Sequence, residues 1–351
     1  HGPLEAIFTV AEETGLEGAF GLDASQIHSR KMLNLDSEEE GVFYIGCAGG
    51  VEVNGFVDRT DVPVRASEQA FEIIVDGLKG GHSGGEIHQQ RANAISCMAR
   101  LLYTVGESMD LRIHSIAGGT KRNVIPSSCK ATVILPSETQ SKADSVIKDM
   151  LQDIKAEFAQ ADPDICISFN KAAKTPESAP SIADSRRLIT ALFLAPHGVD
   201  RMSTTIEGIV ETSSNLAVIR TDASGFSLIT SHRSSIVSCR DLVAKRTIAA
   251  FETAGAQCTL ENPYPAWTPD PTLPLAKFCA QAWKEQMGVE AQVTAIHAGL
   301  ECGIINSLVE GMDSVSLGPY LEEVHSPKER VSISSTEKIA QFIRHLCTVL
   351  A

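Results

Sequence analysis

The stretch FEIIVDGLKGGHSGGE, residues 71–86, decides how the chain is divided. FEIIVD is apolar and β-branched over strand length, and the glycine-rich LKGGHSGGE that follows it must be a loop. Beyond the loop, Ala92, Ile95, Ala99, Leu102 and Val105 recur at the spacing of one helical face. What comes next repeats in outline. Strands are expected at 111–116 (LRIHSI) and 131–135 (ATVIL). A helix with Ile147, Met150, Leu151, Ile154 and Phe158 on one stripe follows, then a strand at 165–169 (ICISF). The same order returns as strands 215–220 and 226–231, a helix after Asp241 and a strand at 257–260. A strand-strand-helix-strand unit present twice is a repeat of structure rather than of letters. It predicts an antiparallel sheet with helices on one face, an α+β insert over residues 66–262.

The flanks have a different texture. Residues 4–10 form a short apolar run, read as a strand. Residues 15–22 have the pattern of a short helix, and 32–35 and 42–45 that of strands, the latter ending in the glycines of GCAGG. After the proline-rich ENPYPAWTPDP, a helix over 273–287 buries Leu275, Phe278, Ala282 and Trp283 and ends at Gly288. A strand at 315–317 and a final helix follow, the helix opened by a capping box of Ser334 and Glu337. Alternating strands and helices make the flanks, 1–65 and 263–351, two parts of one α/β domain.

Composition excludes several function classes. A formal net charge of −14 over 351 residues argues against nucleic acid or an anionic membrane surface as a partner. No apolar run approaches the roughly 20 residues that span a bilayer, and the N-terminus carries no signal-peptide pattern. Nine scattered cysteines without a C-x-x-C spacing read as reduced cytoplasmic thiols. The chain starts at His1 and enters an apolar segment at once, so it is expected to be part of a longer protein.

Residues that could do chemistry cluster beyond the carboxyl ends of the flank strands, where open α/β sheets gather function. Glu12 and Glu13 are adjacent like charges. Either a cation or shared proton offsets their repulsion, or they form the acidic first turn of a helix. Asp36, in NLDSEEEG, is a metal ligand or part of a solvated acidic loop. His325, in EVHSPKE, is a ligand or a surface imidazole. Carboxylates with imidazole and no thiolate favour zinc, manganese or cobalt. In the insert, glycines on both sides of His82 allow close backbone approach to a ligand or simply a flexible connection. Asn123, in GGTKRNVIP, and Arg233 are substrate anchors or, taken singly, turn and surface residues. HAGLECG, residues 297–303, has no role legible from its letters.

The ordered set TVAEETG, NLDSEEEG, GGHSGGEIH, GGTKRNVIP, HAGLECG and EVHSPKE resembles the co-catalytic zinc peptidases related to carnosinase and aminoacylase, over essentially the whole chain. The resemblance is nearest to the branch that cleaves aminoacyl-histidine dipeptides. It implies an α/β zinc-peptidase domain with a mixed sheet and helices on both faces, interrupted by the doubled lid. It implies Glu12 as general base, Glu13, Asp36 and His325 as metal ligands, and His82 as the lid histidine that steadies the oxyanion. Asn123 and Arg233 match groups near the substrate's C-terminal end. Two Zn2+ ions are implied, with Co2+ or Mn2+ as substitutes, sharing a water that attacks a small peptide. A homodimer fits the same pattern.

Two departures qualify it. Ala11 stands where the family has Asp, and the family's upstream His-x-Asp and bridging Asp have no counterpart here, so an N-terminally truncated chain is expected. The rival readings are a tripeptidase, an N-acyl amino acid hydrolase, or a metal-poor binding or dimerisation protein.

Overall fold

The computed structural model describes residues 2–12, 15–324 and 326–350. Two sheets carry it. The smaller has four strands in the order Lys31–Asn34, Asp313–Ser316, Val42–Cys47, Gln292–Ile296. The outer pairings are parallel and the central one, at Ser316 and Tyr44, is antiparallel, so the sheet is mixed as expected. Alternation along the strands sends Leu33 to one face and Met32 to the other. Helices Pro274–Met287 and Ile333–Val349 cover the first face, where Phe43 stacks on Phe342 and meets Trp283 edge-on. Helix Glu301–Leu308 covers the second, with Ile305 against Ile27 and Met32. Pro274 opens its helix and Gly288 closes it in the left-handed region, the expected stop.

Two expectations for the flanks are corrected. Residues 4–10 form no strand, and Phe8 is 92% exposed. An apolar run becomes a strand only beside a ladder partner, and among the described residues none pairs with it. The last helix is capped by Ser332, which accepts from the Ser335 N–H, and not by Ser334. Two serines two residues apart offer the same cap, and letters alone do not choose between them.

The larger sheet has nine strands, all antiparallel. Along its main path the order is Cys166–Lys171, Glu68–Asp76, Cys129–Pro136, Arg112–Gly118, Val210–Thr221, Gly225–Ser234, Gly49–Asp58, Gln257–Tyr264, with Gly198–Met202 pairing Val210–Thr221. The doubled unit is present and larger than expected. Each copy gains a leading strand and helix, giving strand-helix-strand-strand-helix-strand. In the first copy these are Glu68–Asp76 and Ala94–Ser108; in the second, Gly49–Asp58 and Ile182–Leu194. The first copy is therefore inserted in sequence between the leading strand and leading helix of the second. The copies meet where Ile219 pairs with Gly118.

The helix Ile182–Leu194 was legible in principle: Ser181 caps it, and Leu188, Ile189 and Leu192 bury at helical spacing. Gly49–Asp58 was masked by its glycines, which read as a turn. The expected lid, residues 66–262, lies within the span of this sheet, whose first strand begins at Gly49 and whose last ends at Tyr264.

All the long helices of this unit share one core with one face of the sheet. The opposite face is polar at its centre. Ser213, Arg233, Gly50 and Tyr264 stand in one cross-strand row, and directly opposed residues share a face. That face looks toward the smaller sheet's loops.

Candidate active site

The loop carrying His82 is tied down at many points. Gly81–His82 makes a short ladder with Val124–Ile125, and the Ser83 N–H donates to the Asn123 carbonyl at 2.9 Å. The sequence candidates His82 and Asn123 are thus neighbours. The His82 N–H donates to Glu86 Oε2 at 2.7 Å, which holds that carboxyl below its usual range. Asp162, fully buried, accepts from the Lys79 N–H and the Ala92 N–H, both at 2.7 Å, and so clasps both ends of the loop. The His82 ring accepts at Nδ1 from the N–H groups of Gly84 (3.2 Å) and Gly85 (2.9 Å). A neutral ring held this way carries its proton on Nε2, a hydrogen-bond donor.

This loop meets HAGLECG. A side chain at Gly84 would lie 2.7 Å from the His297 carbonyl oxygen, so only glycine admits the approach. His297 is buried, and its Nε2 pairs with Ser213 Oγ at 2.7 Å. Burial first, then the Arg233 charge, pushes its pKa down to about 3, so it is neutral at physiological pH. The charges of His82 and His88 act on it in the same sense.

Arg233 is half-buried and donates from Nη1 to the Tyr264 hydroxyl at 2.6 Å. Its Nε is buried without an acceptor. Among the described residues no carboxylate pairs with it. It is a cation with donors to spare.

On the other side of HAGLECG, the Thr9 hydroxyl donates to Glu301 Oε2 at 2.9 Å. Glu301 is buried, and its second oxygen has no hydrogen-bond partner among the described residues. Glu12 follows three residues after Thr9 and is half-buried; its carbonyl accepts from Gly15 and Leu16. Ala11 sits at φ 54°, a conformation uncommon outside glycine, at the bend that presents Glu12. Asp36 is exposed just past the strand Lys31–Asn34, its N–H donating to Asn34 Oδ1 at 3.2 Å. It lies close enough to the buried Cys302 to help raise that thiol well above its usual value, after burial, Cys47 and Glu301.

Of the sequence candidates, then, His82, Asn123 and Arg233 gather on the His297 side of one loop, and Glu12 and Asp36 on its Glu301 side. Glu13 and His325 lie outside the described residues. Among the described residues no group of three or more His, Cys, Asp or Glu side chains could hold a metal ion. By donor chemistry the set Glu13, Asp36 and His325, two carboxylates and one imidazole, fits zinc, cobalt or manganese. Sequence reasoning missed His297, Glu301, Ser213, Tyr264 and Asp162. HAGLECG was visible as a motif, but a polar residue acquires a role only from what the fold sets beside it.

Residues 74–162 match the peptidase dimerisation domain. Over 338 residues the chain is 36% identical to the cytosol non-specific dipeptidase of Escherichia coli (strain K12), covering 95% of the chain and 69% of the relative. The chain belongs to the M20 peptidase family. It is also similar to aminoacylhistidine dipeptidase from Vibrio alginolyticus. It shares 37% identity with that crystal structure at a TM-score of 0.90, across 95% of this chain and 68% of the other. A shorter match, 30% over 170 residues, is to the uncharacterized protein YqjE of Bacillus subtilis (strain 168). As an M20 peptidase the protein is a hydrolase, and its mixed α/β architecture matches that of the family. No helix among the described residues is long and apolar enough to cross a membrane.

Proposed function

We propose that this M20 peptidase is a metal-dependent, cytoplasmic dipeptidase that accepts aminoacyl-histidine substrates and works as a homodimer. The observation that carries the reading is Arg233: a half-buried guanidinium that meets no carboxylate among the described residues, on the same side of the HAGLECG loop as His82. A free C-terminal carboxylate supplies the missing partner and places the adjoining peptide bond near the imidazole. Asn123 adds a polar contact at the same end. The similarity to two dipeptidases, one of them an aminoacylhistidine dipeptidase, supports the substrate class, and the peptidase dimerisation domain supports the dimer.

In this reading Glu13, Asp36 and His325 hold the metal. Two zinc ions, when bound, lower the pKa of water and polarise the scissile carbonyl. Glu12 takes the proton of the attacking water and passes it to the leaving amine. The Nε2–H of His82 donates to the oxyanion as charge develops there. Arg233 and Asn123 hold the carboxylate throughout.

The test is turnover of β-alanyl-histidine, ordinary dipeptides, a tripeptide and an N-acetyl amino acid by zinc-loaded protein. Dipeptides should lead. A leading tripeptide or acyl amino acid would reassign the substrate, and no turnover with near-zero zinc per folded chain would leave a binding protein. Glu12→Gln should lower kcat by about 10²–10⁴-fold with metal content unchanged. Activity within a few-fold of the parent would remove Glu12 as the base.

A further inference from the structure

We propose that Tyr264 is a positioning residue that aims Arg233 and thereby makes the site selective for substrates ending in a free carboxylate. The inference rests on the dipeptidase reading and adds to it the residue that sets carboxylate selectivity.

The half-buried Tyr264 side chain is held at its hydroxyl and at two places on its ring. Its hydroxyl accepts from Arg233 Nη1 at 2.6 Å. Its ring lies over Gly50, where any side chain would collide with the ring atoms, and against Gly299 of HAGLECG, where a Cβ would come within 3.0 Å. Gly50 belongs to the larger sheet, and Gly299 to the loop that follows a strand of the smaller one. The backbone beneath is fixed too: Arg240 Nη1 donates to the carbonyls of Tyr264 (2.9 Å) and Gly50 (3.3 Å). A few residues on, Trp267 and Cys47 exchange backbone hydrogen bonds at the crossing between the two sheets.

The phenol is therefore rigid, and it occupies one of the guanidinium's five N–H donors. An arginine side chain with no ion pair would sample many rotamers. A fixed acceptor on Nη1 leaves the remaining donors pointing in one direction and removes the ordering cost when a carboxylate binds. The same ring spaces the Gly299 loop from the sheet, so clamp and loop keep a set distance. Nothing in Tyr264 contacts the peptide bond in this scheme. Its loss should appear as weaker carboxylate recognition, not as slower chemistry.

Tyr264→Phe keeps the ring and deletes the hydroxyl, so the packing between Gly50 and Gly299 survives. KM should rise about tenfold for a dipeptide with a free carboxylate, with kcat within a few-fold and KM for the corresponding dipeptide amide unchanged. An acid-to-amide preference equal to the parent's would overturn the proposal. Calorimetric titration with L-histidine and L-histidinamide reads the same preference without turnover. If no dipeptide is cleaved, the dipeptidase reading fails while this binding ratio still decides the role of Tyr264. A double-mutant cycle guards against a folding defect: in an Arg233→Met background, Tyr264→Phe should have no further effect on the ratio, and an additive effect counts against the mechanism.

Discussion

The two copies of the strand-helix-strand-strand-helix-strand unit share a sheet and a helical layer, yet they differ in what they bury. In the first copy, the strand Arg112–Gly118 packs Ile113 and Ile116 into the core, and the candidate residues sit in loops, His82 after the leading strand and Asn123 after Arg112–Gly118. In the second, the corresponding strand Val210–Thr221 buries a polar run, Glu211, Thr212, Ser213, Ser214 and Asn215. Its neighbour Gly225–Ser234 carries Arg233. A buried polar run costs stability unless partners are supplied. Here some partners come from outside the sheet, as with Ser213 and His297, and others from neighbouring strands, as with Thr212 and Ser234. One copy thus presents a donor from a braced loop, and the other offers a polar floor with a cation. The lesson is that a duplicated scaffold can divide its labour: in the proposed mechanism one half steadies charge at the reacting bond and lends Asn123 to the carboxylate, and the other supplies the main carboxylate clamp, Arg233.

That division can be broken by kinetics. His82→Ala should lower kcat by about 10²–10³-fold with little change in KM, the loss expected of an oxyanion donor. Arg233→Met should act on the other parameter, raising KM roughly 10–100-fold for free-carboxylate dipeptides, as when a charge-assisted hydrogen bond is lost. If both variants moved the same parameter, the two halves would not be doing separate jobs. Asp162→Ala sharpens the first-copy side. It leaves two backbone N–H groups of the His82 loop without their buried acceptor, which should cost about 2–4 kcal/mol of stability in denaturant titration. The surviving folded fraction should show the kcat defect of His82→Ala in milder form; an unaltered kcat would mean that the clasp does not position the loop.

The smallest effect concerns pH and belongs to the second copy. His232 is fully buried beside Thr230, and burial pushes its pKa from 6.5 to about 3. The folded form stays neutral while the unfolded chain takes up a proton below pH 6.5. Stability attributable to this site is therefore whole above pH 6.5 and falls as the pH drops from 6.5 toward about 3. His297 acts in the same direction, its pKa also down to about 3. The first copy's His114 is only half-buried and is shifted downward by burial and by Arg59. His232→Asn should flatten the dependence of Tm on pH across that window. An equally steep dependence in the variant would place the acid lability elsewhere.

Much of this was legible along the chain. The helix expected over 273–287, found at Pro274–Met287, declared itself through its apolar stripe and Gly288. The doubled unit showed in the order of its strands and helices. The candidates His82 and Arg233 were picked from a glycine-flanked loop and a strand. What escaped has a common cause. Gly49–Asp58 looks like a turn in letters because its glycines read as breakers; in the fold, Gly50 is needed so that the Tyr264 ring can lie against the strand. Residues 4–10 look like a strand because apolar runs do, and a strand requires a neighbour that composition cannot supply.

By itself, the sequence determined the α/β class and the repeated unit, because burial periodicity and local turn chemistry are written in consecutive residues, and its ordered motifs carried the resemblance to the family. Only the tertiary structure decided that Thr9 meets Glu301, that Ser213 meets His297 and that Tyr264 stands behind Arg233. These partners are separated by 292, 84 and 31 residues, and such contacts depend on how two sheets pack, an outcome of the summed burial of the whole chain that no local pattern encodes.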